Sequence, residues 1–120
     1  MQTINIGKCF SLDPSGRYYS DESGASGEQF REEHLWPALQ NLQPGEKLII
    51  ILDEGPESYG SSFLTEGFAG IVKYGYMEAQ PLLDLLEIKY TDPDYKFFDK
   101  KIKKYISEAK FDSKPYESTK

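Results

Sequence analysis

Leu48-Ile49-Ile50-Ile51-Leu52-Asp53 decides the fold class. An unbroken apolar run of strand length, rich in β-branched residues, is expected of a central strand covered on both faces. Asp53-Glu54-Gly55-Pro56 stops it, and the chain passes through Tyr59-Gly60 to Ser61-Ser62. There Phe63, Leu64, Phe68, Ile71 and Val72 take up helical spacing, with Ser62 as the expected cap. Gly67 and Gly70 lower helical propensity, so this helix is expected to lie close against the sheet.

Towards the C-terminus, Leu86 to Tyr90 reads as another strand. Asp92-Pro93 supplies a cap followed by proline at a first helical position, and Phe98, Ile102, Tyr105, Ile106 and Ala109 form one face of a last helix. On the N-terminal side, residues 2–11 read as a strand through Ile4, Ile6, Cys9 and Phe10. Asp13-Pro14-Ser15-Gly16 has the residues of a type I turn, and Arg17 to Ser20 would return as the second strand of a β-hairpin. Ser26 and Gln29 have the spacing of a reciprocal capping box. The helix they open should turn Phe30, His34, Leu35, Ala38, Leu39 and Leu42 inward and Arg31, Glu32 and Glu33 to solvent, with a kink or a division into two short helices around Trp36 because Pro37 lacks a donor. The expected fold class is α/β, a mixed sheet of about four strands with an N-terminal β-hairpin, packed against about three helices. One domain over residues 1–109 and a flexible polar tail over 110–120 are expected.

The chain has 120 residues, 38% hydrophobic, with a net charge of −6, enough for one core and no more. Residues 1–93 carry 6 Lys and Arg against 15 Asp and Glu, and residues 94–120 carry 8 against 5. So acidic a body repels phosphate backbones, and nucleic acid is not an expected partner. The five lysines from Lys96 to Lys104 read as a solvated helix face. The single cysteine, Cys9, excludes an intrachain disulfide, and no Cys/His cluster is spaced for a metal, so neither metal nor cofactor is expected. With no apolar stretch of membrane-spanning length and no signal-like start, a cytoplasmic protein without membrane association is expected.

The loop after the central strand holds the candidate site: Tyr59, Gly60, Ser61, Ser62 and Phe63, supported by Arg17, Asp53, Glu54 and Glu66. Ligands and partners commonly meet α/β domains at the carboxyl ends of strands, and free helix N–H groups there favour an anion. Arg17 is expected to pair with Asp53 or Glu66 as a structural brace. A serine nucleophile needs a base within reach, and the one histidine, His34, lies in another helix, so no residue is assigned a catalytic role.

Three groups of residues resemble a known family: Phe10-Ser11 with Pro14 and Gly16-Arg17; Ser26-Gly27 with Phe30-Arg31-Glu32, Leu35, Pro37 and Leu39; and Tyr59-Gly60-Ser61-Ser62-Phe63-Leu64 with Glu66, Phe68 and Gly70. Together they are similar to the STAS-like domain family of unknown function found in bacterial proteins. The resemblance implies a likeness to the STAS fold of anti-sigma-factor antagonists, in which a serine at a helix start is phosphorylated by a histidine-kinase-like ATPase. Ser62 would be its counterpart, although Tyr59-Gly60 stands where those proteins have aspartate and Phe63 where they have glycine. The implied function is a non-enzymatic protein-interaction module in signalling regulation, with such an ATPase as partner. A second expectation is a small-molecule- or anion-binding or catalytic domain using Arg17 and the Ser61-Ser62 loop. A third is a homodimer paired through the hairpin edge.

Overall fold

The computed structural model describes residues 2–21 and 24–120. Its sheet has three strands in the order β1-β2-β3: β1 is Gln2–Asn5, β2 is Leu48–Ile51 and β3 is Leu86–Lys89. Both pairings are parallel, with Ile4 opposite Ile50 and Ile50 opposite Ile88. The apolar run therefore occupies the middle of the sheet, as its composition requires. Leu48 and Ile50 are fully buried on one face, whereas Ile49 and Ile51 on the other are half-buried. The expected cover on both faces is therefore complete over Leu48 and Ile50 and partial over Ile49 and Ile51.

The N-terminal hairpin is not formed, and the sheet is parallel, with three strands rather than four among the described residues. Asn5 explains the departure. Its side chain accepts the Lys8 N–H at 3.2 Å and caps a short helix, α1 (Ile6–Cys9), so the chain leaves the sheet after four residues. Cys9 thus ends an exposed helical turn and is not a strand residue. Ser15 and Gly16 give their N–H groups to the Ala25 carbonyl, and Gly16 forms a lone parallel bridge with Ser26. Arg17 and Tyr18, expected in the return strand, curl around Asp21, whose carboxylate accepts both their N–H groups at 2.7 and 3.0 Å.

Among the described residues, five helices pack around the sheet. After α1 comes α2, residues 27–40, capped by Ser26, whose hydroxyl accepts the Gln29 N–H at 3.1 Å. Pro37 does not break it. The turn Arg31–Leu35 is instead wound as π-helix, so that the Trp36 N–H reaches back five residues to the Arg31 carbonyl. A wide turn just ahead of a proline relieves the clash between its ring and the carbonyl four residues back, which lets the helix run on. A second long helix, α3 (residues 61–73), has the same device: its middle turn, Thr65–Ala69, is π-helical. Then follow α4 (Ala79–Leu85), a 3₁₀ turn Pro93–Tyr95 capped by Asp92, and α5 (Lys96–Glu108), which buries Ile102 and Ile106. None of the described helices is long and apolar enough to cross a membrane.

Candidate functional site

The two π turns face each other where α2 crosses α3, and glycine makes the crossing close. A Cβ on Gly27 would stand 2.5 Å from the Phe63 carbonyl oxygen and 2.7 Å from the Gly67 nitrogen. Gly70 likewise leaves the space into which the Arg31 guanidinium inserts. Gly67, against Phe30 and Gly27, and Gly70, against Arg31, thus serve helix against helix, not helix against sheet as the sequence alone suggested.

Arg31, expected in solvent, is fully buried. Its Nη1 donates to the Glu66 carbonyl oxygen at 2.6 Å and to Glu66 Oε2 at 3.1 Å, and its Nε to Glu32 Oε2 at 2.8 Å. The Tyr74 hydroxyl donates to the same Glu66 oxygen at 2.5 Å, and that of Tyr76 to Glu32 Oε2 at 2.6 Å. The rings of Tyr74 and Tyr116 stand 4.6 and 4.9 Å from the guanidinium carbon. Burial works against the Arg31 charge, but the bond to Glu32 and the charges of Glu66 and Glu32 outweigh it and raise its pKa further. Burial and then the bond to Glu66 push the Tyr74 phenol well above its ordinary range, so it remains a donor.

From this buried pair a line of polar groups runs to the surface. Glu66 Oε1 accepts no hydrogen bond from the described residues; Arg17 Nη1 stands 3.9 Å and Lys73 Nζ 4.0 Å from it. Arg17 is partly exposed, and its Nη2 donates to Ser62 Oγ at 3.3 Å. The structure thus joins Arg17, Ser62 and Glu66 and adds Arg31, Lys73 and Tyr74, which sequence reasoning did not assign to the site.

The remaining candidates are placed differently. Ser62 does not cap α3: Gly60 occupies the cap position, and Ser61 and Ser62 are the first two helical residues. Gly60 is pressed onto the Pro14–Ser15 backbone, where a Cβ would meet the Ser15 oxygen at 2.8 Å, and its N–H donates to the Pro14 carbonyl. Tyr59 is buried, donating its hydroxyl to the Leu52 carbonyl at 2.6 Å, and Phe63 is wholly enclosed, so neither offers a surface. Asp53 is separate from Arg17. Its Oδ2 accepts the Thr91 and Asp92 N–H groups at 2.6 and 2.9 Å and the Thr91 hydroxyl at 3.0 Å, which ties the end of β2 to the turn after β3. Those bonds, the Asp92 N–H foremost, hold its carboxyl below the ordinary value. Glu54 pairs on the surface with Lys8 at 3.0 Å.

Ser61 is exposed and lines an open cleft of about 250 Å³ together with Phe97, Phe98 and Lys101 of α5. Phe97 is 60% exposed, a large apolar side chain left in water beside the serine pair. His34 packs against Phe10 and Phe30, and no group of three or more His, Cys, Asp or Glu side chains among the described residues is placed to hold a metal. No family model, curated protein or solved structure matches the chain.

Proposed function

We propose that the chain is a cytoplasmic, non-enzymatic STAS-like interaction module whose partner-facing surface is the start of α3, and that Ser62 is its modified residue. The observation that carries this reading is the setting of the serine pair: one exposed hydroxyl beside an exposed phenylalanine, and a second in contact with an arginine. An arginine remains protonated and withdraws no proton, so it does not activate Ser62 as a nucleophile. It does suit a phosphate. Transfer of the terminal phosphoryl group of ATP to Ser62 Oγ, with release of ADP and of the hydroxyl proton, would place nearly two negative charges against the Arg17 fork.

Two opposing sets of charges bear on the consequence of phosphorylation. Glu54, Glu57 and Glu66 near the loop argue for simple repulsion, whereas Arg17 supports a phosphate held in cis and drawn away from Glu66. The partner of this reading is a histidine-kinase-like ATPase. The test is incubation of the purified chain with such an ATPase and ATP, followed by phosphopeptide mapping and by binding measurements on wild type, Ser62→Ala and Ser62→Asp. Phosphate on Ser62 and a difference in affinity of at least about tenfold, roughly 1.4 kcal/mol, between the Ala and Asp forms support it. Unmodified serines and equal binding by all three forms reject it.

A further inference from the structure

Glu28, in the first turn of α2, is a carboxylate with no exposure, and residues near the end of the chain enclose it. Four hydrogen bonds reach its two oxygens. Oε1 accepts the Tyr19 N–H at 3.0 Å and the Thr119 hydroxyl at 2.6 Å, and Oε2 accepts the Tyr116 hydroxyl at 2.6 Å and the Thr119 N–H at 3.1 Å. Three of the four come from a segment that belongs to no helix or strand. One helical turn further on, the Tyr116 ring covers Arg31 and meets Tyr74 edge-on at 5.4 Å. A buried acceptor and an aromatic-faced guanidinium, three residues apart on one helix, are thus read by a tyrosine and a threonine three residues apart on another segment.

The grip on that segment is narrow. Asp112, at a φ of +51°, and Ser113 donate their N–H groups to the Val72 and Lys73 carbonyls at the end of α3, each at 2.9 Å. Beyond them, through Lys120, only Tyr116 is half-buried and every other residue is exposed. Between the segment and Tyr18 and Tyr74 an open cleft of about 290 Å³ remains, so the segment bridges this face without packing into it. Apart from the Tyr116 ring, the segment contributes only polar contacts from residues that are themselves exposed, and such a part of a fold opens at low cost.

We propose that Glu28, Arg31, Tyr74 and the Tyr19 backbone form a binding site for a protein segment of the pattern Tyr-x-x-Thr, occupied in cis by Tyr116–Thr119 and open to the same pattern on a partner when this strap lifts. Ser61 and Ser62 take no part, so the site stands or falls separately from the serine surface. The tether holds the strap at an effective concentration of roughly millimolar, which a competing segment must exceed.

The test is amide NMR on the full chain carrying Tyr116→Ala and Thr119→Val, titrated with the synthetic peptide Lys-Pro-Tyr-Glu-Ser-Thr-Lys. The Tyr19 and Gly27–Arg31 amides should move on substitution and return towards their wild-type positions, saturably, as peptide is added. A peptide bearing the same two substitutions should leave them unmoved, and wild type should take up the native peptide about tenfold more weakly than the variant. No response of the variant at several millimolar, or equal uptake by variant and wild type, overturns the proposal. If the double variant does not fold, Thr119→Val alone decides: faster exchange of the Tyr19 and Thr119 amides supports the strap, and unchanged exchange refutes it.

Discussion

At the scale of single residues, the pair Arg31–Glu66 is the feature with the largest expected energetic consequence. Two charges this deeply buried are held by the Arg31 Nη1 contact to Glu66 Oε2, a tyrosine donor and ring faces, and removing one leaves the other uncompensated. Glu66→Ala should therefore cost about 3–5 kcal/mol in urea unfolding, and Arg31→Met combined with Glu66→Met much less than the two single changes together. Additive losses would show that the pair is not coupled. Asp53 is a milder case. Its folded pKa lies below the ordinary 3.8, so its contribution is fully present above that value and is lost as pH falls through the folded one. Asp53→Asn should cost about 1 kcal/mol at neutral pH, comparable to a lost helix cap, and the difference from wild type should shrink in acid below the ordinary value. A constant difference down to the acid limit would contradict the assignment.

At the scale of elements, the crossing of α2 and α3 sorts its glycines by what stands opposite them. At Gly67 a Cβ would make ordinary contacts, the nearest being Phe30 Cδ2 at 3.4 Å, while at Gly27 it would strike backbone and at Gly70 the Arg31 guanidinium. Gly67→Ala should be neutral or stabilising by up to about 1 kcal/mol, the propensity gain of alanine in a helix. Gly27→Ala and Gly70→Ala should each cost about 1–3 kcal/mol through overpacking. Thermal unfolding of the three variants measures this order, and a Gly67 variant less stable than the other two would reverse the account of the crossing.

The elements also show why some of the fold was legible and some was not. The Leu48–Ile51 strand, the Ser26 cap and the Asp92-Pro93 start each depend on residues adjacent in sequence, and local pattern reveals such features. The hairpin misled because Asp13-Pro14-Ser15-Gly16 satisfies a turn locally while the actual partner of β1 lies more than forty residues away. Asn5 as a cap was visible in principle, three residues ahead of Lys8. Burial of Arg31 was not, since Glu32 aside the groups that compensate its charge lie on α3 and at Tyr74, and the charged run Arg31-Glu32-Glu33 looks like a solvent face. The serine loop was found from its place after the central strand, but Tyr59 and Phe63 turned inward because aromatic residues fill core and surface alike.

At the scale of the whole molecule, the buried polar line from Arg31 through Glu66 and Arg17 places a guanidinium on Ser62. The exposed Phe97 and the cleft beside Ser61 then give a partner an apolar point of contact next to a chargeable one. Phe97 lends the core little, so Phe97→Ala should leave stability within about 0.5 kcal/mol while weakening partner binding at least about tenfold. Loss of stability with retained binding would assign Phe97 to the fold instead. The most direct measurement is the affinity of a histidine-kinase-like ATPase for wild type, Ser62→Ala, Ser62→Asp and Phe97→Ala, with the modified position mapped after incubation with ATP. The account predicts phosphate on Ser62, a different affinity for the Asp form and weakened binding by the Phe97 variant; four equal affinities with both serines unmodified would contradict it.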